Sequence, residues 1–162
     1  LDLMVESKGK AGLILFWMSE ENVRKDLCHS AVMIGTDGRG LARSGPLAKG
    51  RPHPRNFGTY PRILGHYVRE ENLLSLEEAV HKMTGLPAAR LGLRDRGILA
   101  EGYRADLVLF NPETVADRGG YAQSPRYPEG IEYLLINGQV VIDKGKHTGN
   151  LPGRVLGWSD IE

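Results

Sequence analysis

The sequence predicts an α/β protein: its first third alternates helices with covered parallel strands, and its last third is antiparallel β. Three observations carry this. Residues 12–18 and 31–35 are continuous apolar runs separated by one amphipathic helical pattern, which is how strands covered on both faces are written. Asn137-Gly138 stands between two further apolar runs, the strongest short hairpin signal. Between these regions, residues 38–62 carry repeated Gly and Pro, which read as one long loop.

Taken in order, residues 1–7 read as the end of a helix already under way, stopped by Lys8-Gly9-Lys10. The chain is therefore expected to be the C-terminal portion of a longer protein. Residues 12–18 are the first strand. Ser19 offers an N-cap, and Glu20 and Glu21 follow in the first turn, where the helix dipole favours acids. Val23, Leu27 and Cys28 form the apolar stripe of that helix, with Cys28 as a buried filler. The second strand, 31–35, follows at once, so residues 1–37 read helix, strand, helix, strand, with the strands parallel.

After the loop, residues 63–70 read as a helix with Ile63, Leu64, Tyr67 and Val68 on one face. Ser75 caps a second helix over 76–84, and Glu78 completes a capping box. Gly85 is its expected stop, and 86–92 is a short helical turn closed by Gly92. From Gly97 the texture is β. Residues 106–110 form a strand ended by Asn111-Pro112, and 131–136 and 139–143 form the hairpin.

Composition narrows the function. Of 162 residues, 41% are apolar, enough for a packed core, and 21 Lys and Arg stand against 20 Asp and Glu. That balance gives no case for nucleic acid or an acidic membrane as partner. Cys28 is the single cysteine, so no internal disulfide and no Cys-rich zinc site can form. No apolar run is long enough to span a bilayer. A cytoplasmic protein is expected.

Asp37 is the most informative residue. It follows the apolar run 31–35 in Gly35-Thr36-Asp37-Gly38. A carboxylate at the end of a buried strand is costly unless paired, metal-bound or catalytic, and strand ends at the mouth of an α/β sheet carry catalytic groups. The alternative is an Asp-Gly turn or a cap. The residues alone leave both open. The loop after Asp37 would cover the same mouth.

Several segments together resemble one family. They are Gly35-Thr36-Asp37-Gly38, His53-Pro54-Arg55-Asn56-Phe57-Gly58-Thr59-Tyr60-Pro61-Arg62, Leu76-Glu77-Glu78-Ala79-Val80 and Lys82-Met83-Thr84. The likeness continues through Gly102-Tyr103-Arg104-Ala105-Asp106-Leu107-Val108 and Ile136-Asn137-Gly138-Gln139-Val140. The chain resembles the N-acyl-D-amino-acid deacylases (D-aminoacylases) of the amidohydrolase superfamily over nearly its whole length. The later segments fix only the superfamily, while the Thr-Asp-Gly and His-Pro-Arg pair points to the deacylase branch. The family more often has Ser where this chain has Thr36.

The resemblance implies the last two β/α units of a (β/α)₈ barrel, residues 1–96 with the loop 38–62. Strands of a small β-sandwich and a tail would follow over 97–162. It implies a zinc-dependent hydrolase that splits the amide of N-acyl-D-amino acids into a carboxylate and a free D-amino acid. Zinc lowers the pKa of its bound water and polarises the carbonyl. Asp37 would take the water proton and pass it to the departing nitrogen, standing beside the metal as its one neighbour from this chain. Arg55 would clamp the substrate carboxylate with its planar fork. His53 would bind substrate or order the loop, and Phe57 and Tyr60 would pack. The family's main ligands, a His-x-His pair among them, have no counterpart in this chain. The chain alone is therefore expected to be inactive, and to associate with an N-terminal part or with itself. The other readings are a hydantoinase- or dihydroorotase-like branch, or a non-catalytic fragment.

Overall fold

The computed structural model describes residues 2–157 apart from Leu13 and Lys49. Helix α1 (Asp2–Glu6) ends where Lys8 and Gly9 take positive φ, 51° and 74°. Helix α2 (Glu20–Cys28) starts as its sequence dictates, with Ser19 Oγ accepting the N–H of Asn22. Helix α3 (Arg55–Arg62) runs directly into a π-helix (Ile63–Glu70), and α4 (Leu76–Met83) and α5 (Gly85–Arg90) follow. Among the described residues four antiparallel strands follow, β1 (Leu107–Phe110), β2 (Ile131–Ile136), β3 (Gln139–Asp143) and β4 (Lys146–His147), in the order β1-β2-β3-β4.

Among the described residues the two expected parallel strands do not form, Leu13 of the first run lying outside them. Residues 14–18 and 31–35 belong to no ladder, and Leu15, Phe16, Trp17 and Met18 are 59–81% exposed. A parallel strand needs neighbouring strands about 4.8 Å away to take its N–H and C=O groups, and the described residues supply no such strand to either run. The second run is also covered on one side only. Ile34 is buried and Val32 and Thr36 half-buried, while Met33, Gly35 and Asp37 are exposed. That alternation is the period of extended chain.

The stretch 38–62 is not all loop. Pro54 stands at the entrance of α3 with φ −53°, the value its ring prefers and one that suits a helix start. Pro61 sits inside the helix without an N–H to donate. Just beyond it, the Ile63 N–H is shared between the Thr59 and Tyr60 carbonyls. The wider π pitch then persists to Glu70, closed by a bond from the Glu71 N–H to the His66 carbonyl, five residues back. Gly85 does not stop α4 but opens α5; Gly92, at φ 74°, is the terminator. Cys28 is exposed rather than buried, because Leu27 takes the inward position.

The core joins α2, the π-helix, α4 and the loop after β1. Leu27, Ile34, Ile63, Leu64, Tyr67, Leu74, Ala79 and Val115 are its buried members, and Phe110 and Ile131 pack on it from the sheet. Ser75 Oγ accepts the Glu78 N–H as the capping sequence requires. The β2–β3 turn is made by Asn137 and Gly138 at φ 48° and 78°, both left-handed as a type I′ hairpin needs. Asp106 fixes this turn by accepting the Asn137 N–H at 2.7 Å, and it also pairs with Arg96 at 2.7 Å.

Arg24 on α2 grips Glu71 with both arms of its guanidinium, at 2.8 and 2.7 Å. These hydrogen bonds hold the Glu71 carboxyl below its ordinary 4.5 against the opposing effect of desolvation, and His66 helps. The lowered value means that the unfolded chain binds the proton more readily. The pair's stabilisation is therefore present above about pH 4.5 and is lost as pH falls through the folded value. Glu71→Gln should lower the urea midpoint at roughly pH 7 more than at roughly pH 3. An equal loss at both pH values would show that the charge is not what joins α2 to the π-helix.

Candidate active site

The site grows from a tight turn set on the first turn of α3. Thr36 Oγ1 accepts the Gly38 N–H at 3.0 Å, which folds the chain back around Asp37. Asp37 adopts φ 45°, a left-handed conformation that Asp tolerates better than most residues. A Cβ at Gly38 would stand 3.2 Å from Thr36 Oγ1, 3.3 Å from Asn56 Cα and 3.4 Å from the Arg55 carbonyl, tight contacts that would press the turn off the helix by a few tenths of an ångström. The glycine thus lets the turn sit on the helix.

Asn56 holds the two pieces together. Its Oδ1 accepts the Arg39 N–H at 2.6 Å, and its Nδ2 donates to the His53 carbonyl at 2.7 Å. Arg55, beside it, reaches back so that Nη2 lies 2.9 Å from Asp37 Oδ2. The two expected functional residues, 18 positions apart in sequence, are therefore in contact. Their side chains are 85% (Asp37) and 44% (Arg55) exposed. Exposed pairs of this kind add little to stability, so the pair matters for where it puts the two groups. Thr36, Arg39, Arg55, Asn56 and Tyr60 line an open cleft of about 200 Å³. Tyr60, expected to pack, is 42% exposed on its wall, while Phe57 does pack, against the Tyr127 ring at 5.8 Å.

His53 is part of the frame. Its Nδ1 accepts the Arg55 N–H at 3.1 Å, and its ring meets Tyr121 edge-on at 5.2 Å; Tyr121 in turn meets Phe16 at 4.6 Å. Partial burial lowers the imidazole pKa below 6.5, the Arg55 charge lowers it further, and Asp37 opposes both. Asn56 and Tyr121 were not singled out as site residues by sequence. Asn56 lies inside the quoted motif and could have been assigned from it, whereas Tyr121 follows two glycines in an irregular segment and gave no signal.

The donor set does not fit a complete zinc centre. Among the described residues no three His, Cys, Asp or Glu side chains come together. Asp37 is tied to the cleft through its ion pair with Arg55, which lines it, and through its neighbours Thr36 and Gly38. What this arrangement can do is hold a carboxylate able to accept and return a proton next to a guanidinium able to bind a planar anion.

Comparison with known proteins places the chain. The amidohydrolase family matches residues 31–142, and the chain belongs to that family. Within it, the chain is 47% identical over 146 residues to D-aminoacylase of Alcaligenes xylosoxydans xylosoxydans, covering 90% of this chain and 29% of the relative. A structure of D-aminoacylase, described for its binuclear metal centre, superposes with a TM-score of 0.74 at 44% identity, over 82% of this chain and 27% of that one. N-acyl-D-glutamate deacylase from Bordetella bronchiseptica, in complex with zinc and a phosphonate mimic of the tetrahedral intermediate, gives 0.68 at 42% identity, over 76% and 25%. The chain thus spans under a third of the length of these relatives. Among the described residues no helix is long and apolar enough to cross a membrane.

The His53 environment makes a direct prediction. In an NMR titration its midpoint should fall below 6.5. Arg55→Met should raise it, and Asp37→Asn should lower it further. A lowered folded pKa means the unfolded chain binds the proton first. The His53 contribution to stability is therefore full above the unfolded value and declines as pH falls through the folded one. A His53 midpoint unmoved by either substitution would show that the three residues do not form one electrostatic unit.

Proposed function

We propose that, in a protein of the relatives' full length, this segment forms the acid–base and carboxylate-binding side of an N-acyl-D-amino-acid deacylase. The observation that carries the reading is the 2.9 Å contact that ties Asp37 to Arg55, one of the residues lining the cleft. The relatives act, by their names, on N-acyl-D-amino acids, which favours this branch over a hydantoinase-like one. Residues 1–96 would belong to the family barrel, with runs 12–18 and 31–35 gaining ladders from strands outside this chain or from a second copy. Residues 97–162 would belong to the flanking β-sandwich. The single cysteine suits a cytoplasmic enzyme.

The chemistry follows from the residues. The substrate's carboxylate competes with Asp37 for Arg55, and a planar anion can take both arms of the fork where Asp37 now takes one. Transfer of Arg55 to the substrate leaves Asp37 facing the amide. Asp37 then accepts the proton of the attacking water and delivers it to the amine nitrogen as the C–N bond breaks. His53, through the Arg55 N–H, and Asn56, through the backbones of residues 39 and 53, keep the fork and the carboxylate in register. In the zinc-bound relative the metal would polarise the carbonyl and activate the water. Its ligands would lie outside this chain, with Asp37 alone as neighbour.

In the full-length protein, Asp37→Asn should cut kcat by about 10²–10⁴-fold, because an amide keeps the shape but accepts no proton. Metal content and fold should stay near normal. Arg55→Lys should chiefly raise KM for an N-acetyl-D-amino acid, as a point charge replaces a fork. Steady-state kinetics with metal analysis of both variants is the test. An Asp37→Asn enzyme that retained most of its kcat would make Asp37 a turn residue and remove the proposed acid–base role.

A further inference from the structure

We propose that Lys82 is the positioning residue that sets the register of the chain leading to Asp37. Lys82 lies on α4 and is 2% exposed, a buried charged residue in the core layer. Its ammonium donates to the carbonyls of His29 and, at 3.2 Å, Val32. Its backbone carbonyl accepts the Ile34 N–H at 3.1 Å. One residue therefore holds the segment at positions 29, 32 and 34.

The surroundings explain how a charge can be kept there. His29 follows the last residue of α2, and its carbonyl is one of the four that a helix end leaves unpaired. The negative end of the α2 dipole faces the ammonium there. The His29 carbonyl also accepts the Val32 N–H at 3.1 Å, so Lys82 adds a second, charged donor to it, whereas the Val32 carbonyl takes its hydrogen bond from Lys82 in a segment with no strand partner, where an unpaired carbonyl is costly. The same site filled by Met or Leu would pack without this need, and such replacements of buried charges are often neutral or stabilising. A charge retained at this position is thus better explained by what it orders than by stability.

What it orders is the alternation of side chains. Val32, Ile34 and Thr36 face inward, while Met33, Gly35 and Asp37 face out. A slip of one residue would exchange the two sets, turning Asp37 towards the core and away from Arg55. No ladder prevents such a slip. The three bonds to Lys82 fix the register before the Thr36–Gly38 turn begins. The catalytic consequence rests on the deacylase reading; the structural one does not.

The test has two arms. In this chain, amide hydrogen exchange of Lys82→Met should accelerate by about tenfold or more at Ile34 and Gly38, the scale of a lost hydrogen bond to a charge. Amides of β2, β3 and the π-helix should keep their protection. Unchanged exchange at Ile34 and Gly38 overturns the proposal, and so does uniform loss at every site, which would make Lys82 a general core residue. If Lys82→Met lost all protected amides, Lys82→Gln, which keeps one donor near the carbonyls, would decide by the same criterion: selective loss supports, uniform or absent loss overturns. In the full-length enzyme, Lys82→Met should lower kcat by about 10²-fold, the cost of a misplaced catalytic group, with KM and metal content little changed. A rise in KM alone, or an unchanged kcat, overturns the positioning role. Absence of deacylase activity in the unaltered enzyme would instead refute the functional reading and leave the exchange result standing.

Discussion

The structure turns on the need to satisfy the backbone of residues 29–38 without a β-ladder. A buried or half-buried chain must find partners for its N–H and C=O groups, and here they come from three directions. Lys82 takes two carbonyls from beneath and returns its own carbonyl to Ile34. Thr36 closes the turn from within, and Asn56 takes the Arg39 N–H from the first turn of α3. Together these contacts hold the backbone around Asp37, whose own side chain is 85% exposed and paired with Arg55. Ile34 adds the apolar anchor, one of the eight buried members of the core.

The charges around this backbone fall into two groups with different tasks. Arg24, Glu71, His66, Glu70 and Arg62 tie α2 to the π-helix, and Tyr67 joins them through a 2.9 Å bond to Glu20 while Arg62 lies over its ring. That group supports the core side. The other is sparse: Asp37, Arg55 and His53, linked by one ion pair and one backbone hydrogen bond. A sparse, exposed ion pair exchanges partners at low cost. That would suit the proposed passing of Arg55 from one carboxylate to another, and would not suit a structural tie.

Where local rules decide, the sequence was legible. Ser19 and Ser75 cap the helices they precede, Gly92 and Lys8-Gly9 terminate theirs, and Asn137-Gly138 makes the hairpin it announces. The Lys144-Gly145 turn between β3 and β4 repeats that geometry, with φ of 47° and 74°, but its lysine concealed it. Where partners far in sequence decide, local rules failed. The runs 12–18 and 31–35 have the composition of buried strands, but composition cannot supply a neighbour. The prolines at 52, 54 and 61 suggested a loop through residue 62, although Pro54 starts a helix and Pro61 is accommodated by a change of pitch. At the site, Asp37, His53 and Arg55 were expected from the motif resemblance. Their mutual contact was not, because it depends on how closely Gly38 lets the turn approach α3. Lys82 lay in plain view in Lys82-Met83-Thr84, on a helix whose apolar stripe gave no reason to turn a lysine inward.

In the proposed mechanism Arg55 serves two carboxylates in succession, Asp37 first and the substrate's second. A crystal structure of the full-length protein with a phosphonate analogue of an N-acyl-D-amino acid tests this most directly. The account predicts both arms of Arg55 on the ligand's carboxylate at about 2.7–3.2 Å, with the Asp37 contact broken and its carboxylate facing the atom that replaces the amide nitrogen. A ligand carboxylate bound elsewhere, with Arg55 still paired to Asp37, would contradict it.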